Sequence, residues 1–227
     1  MNNSSKNILI IVAHTDDETI GMGGTIANHT KDGDKVFAVS MTDGVGSRDA
    51  LDTSDINQRV IAADKAARIL GFEWLEAGKF LDNEMDKYSL IEVVKFIENI
   101  KNLSKPDIVY THSSSDLNID HRIVSEAVLT AFRPQPKEIC REIRAFEVSS
   151  ATDYGHKSVT GSFYPNLFID ITNTWEEKLL ALKEYASEMR EYPHTRSYRG
   201  IESLSKIRGN QVGLHQAEAF EIIRKIQ

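Results

Sequence analysis

A single cysteine, Cys140, stands in a chain of 227 residues, so no intramolecular disulfide can staple the fold. No apolar run approaches the roughly 20 residues that a membrane-spanning helix needs. Residues 1–6 are polar and lack the apolar centre of a signal peptide. The expectation is a cytoplasmic protein without stable membrane insertion. Positive charge is also in deficit. The formal net charge of −7 argues against a nucleic-acid or anionic-membrane binder, since both favour basic surfaces. A phosphorylated substrate held by a few local arginines stays compatible with it. Internal repeats, low-complexity tracts and linkers are lacking too, and one domain over residues 1–227 is expected.

What the chain does have is the composition of a soluble globular protein, 41% hydrophobic and 27% charged, at a length that can bury a substantial core. Its most informative stretch comes early. Ile8-Leu9-Ile10-Ile11-Val12 reads as a strand buried on both faces. It breaks at once into Ala13-His14-Thr15-Asp16-Asp17-Glu18. A parallel strand delivering polar groups from its C-terminal end is how open α/β sheets present their chemistry. His14 and Asp17 offer a nitrogen and an anionic oxygen suited to Zn²⁺, with Asp16 beside them. The same acids would equally serve as the N-terminal cap of a following helix. On local sequence the two readings stand side by side, and a third ligand elsewhere is needed to separate them.

Strand and helix patterns then alternate, which predicts right-handed crossovers, a mainly parallel sheet flanked by helices and a Rossmann-like three-layer α/β domain. Residues 18–30, 55–70 and 89–102 read as helices, and 35–41, 73–76 and 106–111 as strands. Ile56, Val60, Ala63, Ala67 and Leu70 mark the apolar side of the second helix. Gly21-Met22-Gly23-Gly24 does not make a dinucleotide fingerprint, because acids separate it from the strand. These glycines are expected to let the helix pack closely. Arg48, in the glycine-containing loop 42–48, is a candidate contact for a substrate hydroxyl, carbonyl or phosphate.

A second informative stretch, residues 112–122, also follows a strand and precedes a helix at about 120–132. Topology puts it on the same face as His14 and Asp17. His121 could supply the missing third ligand, which would give two histidines and one carboxylate with a position left for water. Asp120 orients an imidazole or caps the helix. His112 is a weaker ligand candidate, expected rather to be a surface histidine or a support for a ligand. Further on, 142–148 and 166–171 read as strands, 175–190 and 201–208 as helices, and 215–226 as a segment packed on the body.

These motifs resemble the zinc-dependent de-N-acetylases related to N-acetylglucosaminyl-phosphatidylinositol deacetylase, the PIG-L or LmbE-like family. Ala13-His14-Thr15-Asp16-Asp17-Glu18 stands where the family has A-H-P-D-D-E, and Asn118-Ile119-Asp120-His121 where it has H-x-D-H. Thr42-Asp43-Gly44 with Arg48, His194-Thr195-Arg196-Ser197 and Ala217-Glu218-Ala219-Phe220 are also similar to family features. The resemblance implies zinc on His14, Asp17 and His121, and Asp16 as general base. It also implies an amino-sugar substrate contacted by Asp43, Arg48 and Arg196. Thr15 replaces the usual proline. Asn118 replaces a histidine, and its amide can donate to an oxyanion but cannot deliver a proton. Asp16 is therefore expected to return its proton to the leaving nitrogen, with His194 as a reserve acid.

The function so implied is removal of an N-acetyl group from a GlcNAc-type nucleotide sugar, glycolipid or glycoside. Alternatives are an amidase on a thiol-sugar conjugate or chitin fragment, and a metal-dependent sugar-binding protein without turnover. The same donor set also accepts Fe²⁺ or Co²⁺. Specificity is expected in loops 47–54 and 149–165, and the sequence leaves open whether the chain forms a homo-oligomer.

Overall fold

The structure, a computed structural model, describes residues 5–42 and 53–227. Its chain order is β1 (Asn7–Val12), α1 (Asp17–Lys31), β2 (Lys35–Ser40), α2 (Thr53–Leu70) and β3 (Glu73–Trp74). There follow α3 (Leu90–Ser104), β4 (Ile108–His112), α4 (Ile119–Ala131), β5 (Glu142–Phe146) and α5 (Lys157–Thr160). The chain ends with β6 (Leu167–Asp170), α6 (Trp175–Glu184), α7 (Tyr198–Asn210) and β7 (Ala217–Lys225). The seven strands form one sheet in the order β3-β2-β1-β4-β5-β7-β6, parallel except for β7, which runs antiparallel to both its neighbours.

β1 lies at the centre because its apolar run can be buried on both faces. Ile8, Ile10 and Val12 enter one hydrophobic cluster with α1, α2 and α6, while Leu9 and Ile11 enter the other with α3 and α4. The strand order reverses between β1 and β4, and a crevice at such a reversal, outside the carboxyl ends of the strands, is where doubly wound sheets bind ligands. The loops after β1 and β4 carry the two motifs.

The glycines of α1 serve close packing, as expected. A Cβ on Gly21 would sit 2.5 Å from the Phe146 ring, and one on Gly24 would sit 2.7 Å from Ile171. The helix is also kinked at Met22. Glu218 accepts from the Gly24 and Thr25 N–H groups at 3.0 and 2.7 Å, so the freed amides beyond the kink are capped from β7.

Residues 217–225, expected to pack on the body, do so as a strand, hidden in the sequence because its inward positions include Glu218, which is satisfied by Lys178 at 2.6 Å and by the two amides of α1. Two expectations need correction. α6 stops at Glu184 instead of reaching 190, and successive turns redirect residues 185–189 toward the sheet. Val60 is exposed, so among the described side chains the buried side of α2 is Ala63, Ala66, Ala67 and Leu70; the side chain of Ile56 lies outside them.

Candidate metal centre

The crevice holds a polar cavity of about 240 Å³ whose walls include His14, Asp16, Asp17, His121, Asn118 and Arg196. The turn between β1 and α1 places His14, Asp16 and Asp17, and the first turn of α4 places His121. Three atoms that could ligate a metal converge there. His14 Nδ1, His121 Nε2 and Asp17 Oδ2 stand 3.3 Å from one another on all three sides of a triangle. Donors held at 2.0–2.1 Å around a tetrahedral ion are separated by about 3.3–3.4 Å, so the spacing matches what a zinc site requires.

The remote ring nitrogens fix which atoms point inward. His14 Nε2 lies 2.9 Å from Asp82 Oδ1 and 3.2 Å from Asp120 Oδ2, and His121 Nδ1 lies 3.0 Å from Asp116 Oδ2. With the N–H on those nitrogens, lone pairs of Nδ1 and Nε2 face each other and the Asp17 carboxylate. Three electron-rich atoms at that distance repel unless a cation sits among them. The local field says the same. Burial disfavours charge on His121, yet Asp17 and Asp116 outweigh it and raise its pKa to about 9. His14 is likewise raised against the effect of burial by Asp120, Asp17 and Asp82.

The supports are themselves held. Asp120 accepts from Asn83 N–H at 2.6 Å and Met85 N–H at 3.1 Å, and Asp116 accepts from Thr152 Oγ1 at 2.9 Å. Asp120 therefore orients His14 and is not the cap of α4. That cap is Asn118, whose side-chain oxygen accepts from the Asp120 N–H at 2.8 Å, while its amide nitrogen donates to Asn83 Oδ1 at 3.2 Å. His112 is wholly buried, not at the surface. Its ring stacks on His121 at a centroid distance of 3.8 Å and its Nε2 accepts from the Ala13 N–H at 2.8 Å. Burial, then the neighbouring His121, hold it well below its usual pKa, so it stays neutral.

Asp16 is buried beside the triangle, and its Oδ2 has no hydrogen-bond partner among the described residues. Burial raises its carboxyl to about 6, against the pull of Arg59. Arg59 Nη2 and Arg196 Nη1 stand 3.5 and 3.6 Å from its two oxygens. Of the expected site residues, the structure brings together His14, Asp16, Asp17, Asn118, His121 and Arg196. His194 does not line this cavity; it turns toward Tyr154 while its Nδ1 accepts from the Arg196 N–H at 3.0 Å. Asp43 and Arg48 lie outside the described residues, as does most of loop 47–54.

Sequence reasoning missed Arg59, Asp82, Asn83, Glu188 and Arg190 on the cavity wall. Arg59 looked like any polar residue of a surface helix. Glu188 and Arg190 were hidden in what reads as the end of α6.

Residues 9–132, more than half of the chain, match the GlcNAc-PI de-N-acetylase (PIG-L) family. The chain belongs to that family. The PIG-L relatives include a diacetylchitobiose deacetylase of Thermococcus kodakarensis, 30% identical over 202 residues, covering 83% of this chain and 72% of the relative. They also include a 4-oxalmesaconate hydratase of Pseudomonas putida, 26% identical, over 83% of this chain and 76% of that protein. Among solved structures, the N,N'-diacetylchitobiose deacetylase of Pyrococcus horikoshii superposes with a TM-score of 0.75 at 26% identity, covering 97% of this chain and 85% of that one. The expected α/β architecture and the PIG-L assignment both stand.

Proposed function

We propose that the chain is a cytoplasmic, zinc-dependent hydrolase that removes an N-acetyl group from a GlcNAc-type sugar. The observation that carries this reading is the triangle of His14, Asp17 and His121 with an Asp16 carboxylate oxygen next to it that accepts no hydrogen bond from the described residues. A zinc ion held by the three ligands would lower the pKa of a bound water toward about 7 and polarise the amide carbonyl.

The chain's own groups do the rest. Asp16 Oδ2 accepts the proton of the attacking water, the task of a carboxylate within reach of a metal-bound water. The amide of Asn118 donates to the developing oxyanion. Asp16 then returns its proton to the leaving nitrogen, so that acetate and a free amine depart. Arg190 and Arg196, on the cavity wall, would donate to sugar hydroxyls. Loop 149–165 borders a separate cleft of about 530 Å³, lined in part by Phe163, Tyr164 and Tyr192.

Acetate release and bound metal, measured together on wild type and Asp16→Asn, test this. The panel would be GlcNAc, diacetylchitobiose, UDP-GlcNAc and 4-oxalmesaconate. About one zinc per chain in both proteins, with acetate from wild type alone, supports the deacetylase. Water addition to 4-oxalmesaconate without acetate from any sugar would move the chain to the hydratases of the family. Sugar affinity preserved in Asp16→Asn, with no turnover by either protein, would make it a binding protein.

A further inference from the structure

The peptide unit that joins Thr15 to Asp16 is gripped at both ends. At its carbonyl, Arg59 Nη2 donates to Thr15 O at 2.8 Å; at its N–H, Asp16 donates to Glu18 Oε2 at 3.0 Å. The orientation of this unit about the Asp16 N–Cα bond is the φ angle of Asp16, and it is 119°. That region favours glycine and is strained for a residue carrying a Cβ. Such a conformation persists only where the surroundings over-determine it.

Arg59 has the contacts to do so. It reaches across from α2, and its Nε also donates to Thr15 Oγ1 at 3.0 Å. Its Nη1 is held by Glu188 Oε1 at 3.0 Å, so the planar guanidinium is fixed from the far side as well. Its approach to Asp16 Oδ1, at 3.5 Å, is a charge contact without the geometry of a directed hydrogen bond. The hydrogen bonds therefore fall on the residue before the base. Asp16 lines the cavity, and its Oδ2 accepts no hydrogen bond from the described residues, with Arg196 Nη1 at 3.6 Å.

We infer that Arg59 is a positioning residue that acts on Asp16 through Thr15, setting the peptide plane from which the carboxylate projects. The inference rests on Asp16 being the base. Thr15 is where it is most cleanly probed, because its hydroxyl gives the guanidinium a second anchor and Thr15 does not line the cavity.

The test compares Thr15→Ser, Thr15→Val and Arg59→Met for kcat, KM and bound zinc, with a crystal structure of the arginine variant. Thr15→Ser should keep kcat within about twofold, whereas Thr15→Val should lower it roughly tenfold at unchanged KM and zinc content, as expected when a catalytic group is misplaced by a fraction of an ångström. In Arg59→Met, kcat should fall by about 10² and Asp16 should relax to negative φ. Asp16 holding its φ near 119° without Arg59 would overturn the inference, as would Thr15→Val with wild-type kcat. Should wild type release no acetate, the base role of Asp16 fails by itself, and the φ of Asp16 in Arg59→Met still decides what Arg59 does.

Discussion

His14 Nδ1 and His121 Nε2 face each other at 3.3 Å, and each ring is turned to do so by a carboxylate on its far nitrogen. For His121 the orienting group is Asp116 alone, at 3.0 Å, whereas His14 has both Asp82 and Asp120. Asp116→Asn should therefore weaken zinc binding by about 10–100-fold, the usual consequence of removing an orienting carboxylate. Competition with a chromophoric chelator measures it. Wild-type affinity would mean that stacking on His112 suffices to hold the ring.

Asn118 does two jobs with the two ends of one side chain, and they can be separated. Its oxygen caps α4 and its amide nitrogen faces Asn83 at the cavity. Asn118→Ala removes both. It should lower kcat by about 10²–10³ through loss of an oxyanion donor, and stability by about 1 kcal/mol through loss of the cap. Asn118→Asp keeps a cap oxygen and removes the donor. Its unfolding midpoint in urea should stay near wild type while kcat falls at least as far. Equal kcat in all three proteins would remove Asn118 from the chemistry and leave it a cap.

The parts of this molecule legible in the sequence are those where neighbours in the chain are also neighbours in space. β1 announces itself because a run of five apolar residues buried on both faces has few other homes. The candidate ligands stood out because they cluster in two short segments, each at the carboxyl end of a central parallel strand. Groups delivered singly were not legible. Arg59 comes from the exposed-looking side of α2, and Glu188 from a turn that replaces the last helical residues of a convincing α6 pattern. β7 was concealed by Glu218, whose buried charge makes sense only with Lys178, forty residues away on another element. Pairings of that kind leave no periodic trace.

Cys140 is fully buried, and its Sγ donates to the Glu142 carbonyl at 3.4 Å. Burial raises its pKa from 9.0 to about 11. The thiol should resist an aromatic disulfide reagent near pH 9, where a free cysteine is about half ionised, and react promptly once the protein is denatured. The sign of the linkage follows. Because the folded pKa is the higher one, this thiol's contribution to stability is complete below about 9 and is lost as pH rises from 9 through 11. Cys140→Ala should remove that part of the alkaline decline in a urea titration. Native labelling at the rate of a free thiol would contradict the buried placement.

Lys178 and Glu218 form an ion pair at 2.6 Å with both side chains about 3% exposed. Lys178 Nζ also donates to the Ile20 carbonyl at 2.8 Å, and Glu218 receives the amides of Gly24 and Thr25, so the pair bridges α6, β7 and both sides of the kink in α1. Lys178→Met would leave the carboxylate buried with only its two amide donors, and should cost about 3–5 kcal/mol, the range for breaking a buried pair from one side. Glu218→Gln in the same background removes the stranded charge and should recover a substantial part of that loss, since an amide oxygen still accepts from the helix. Urea unfolding of the two single variants and the double variant reads the coupling. If Lys178→Met unfolds at the wild-type midpoint, the kinked helix is held by packing of Gly21 and Gly24 against Phe146 and Ile171, and the charge pair contributes nothing to it.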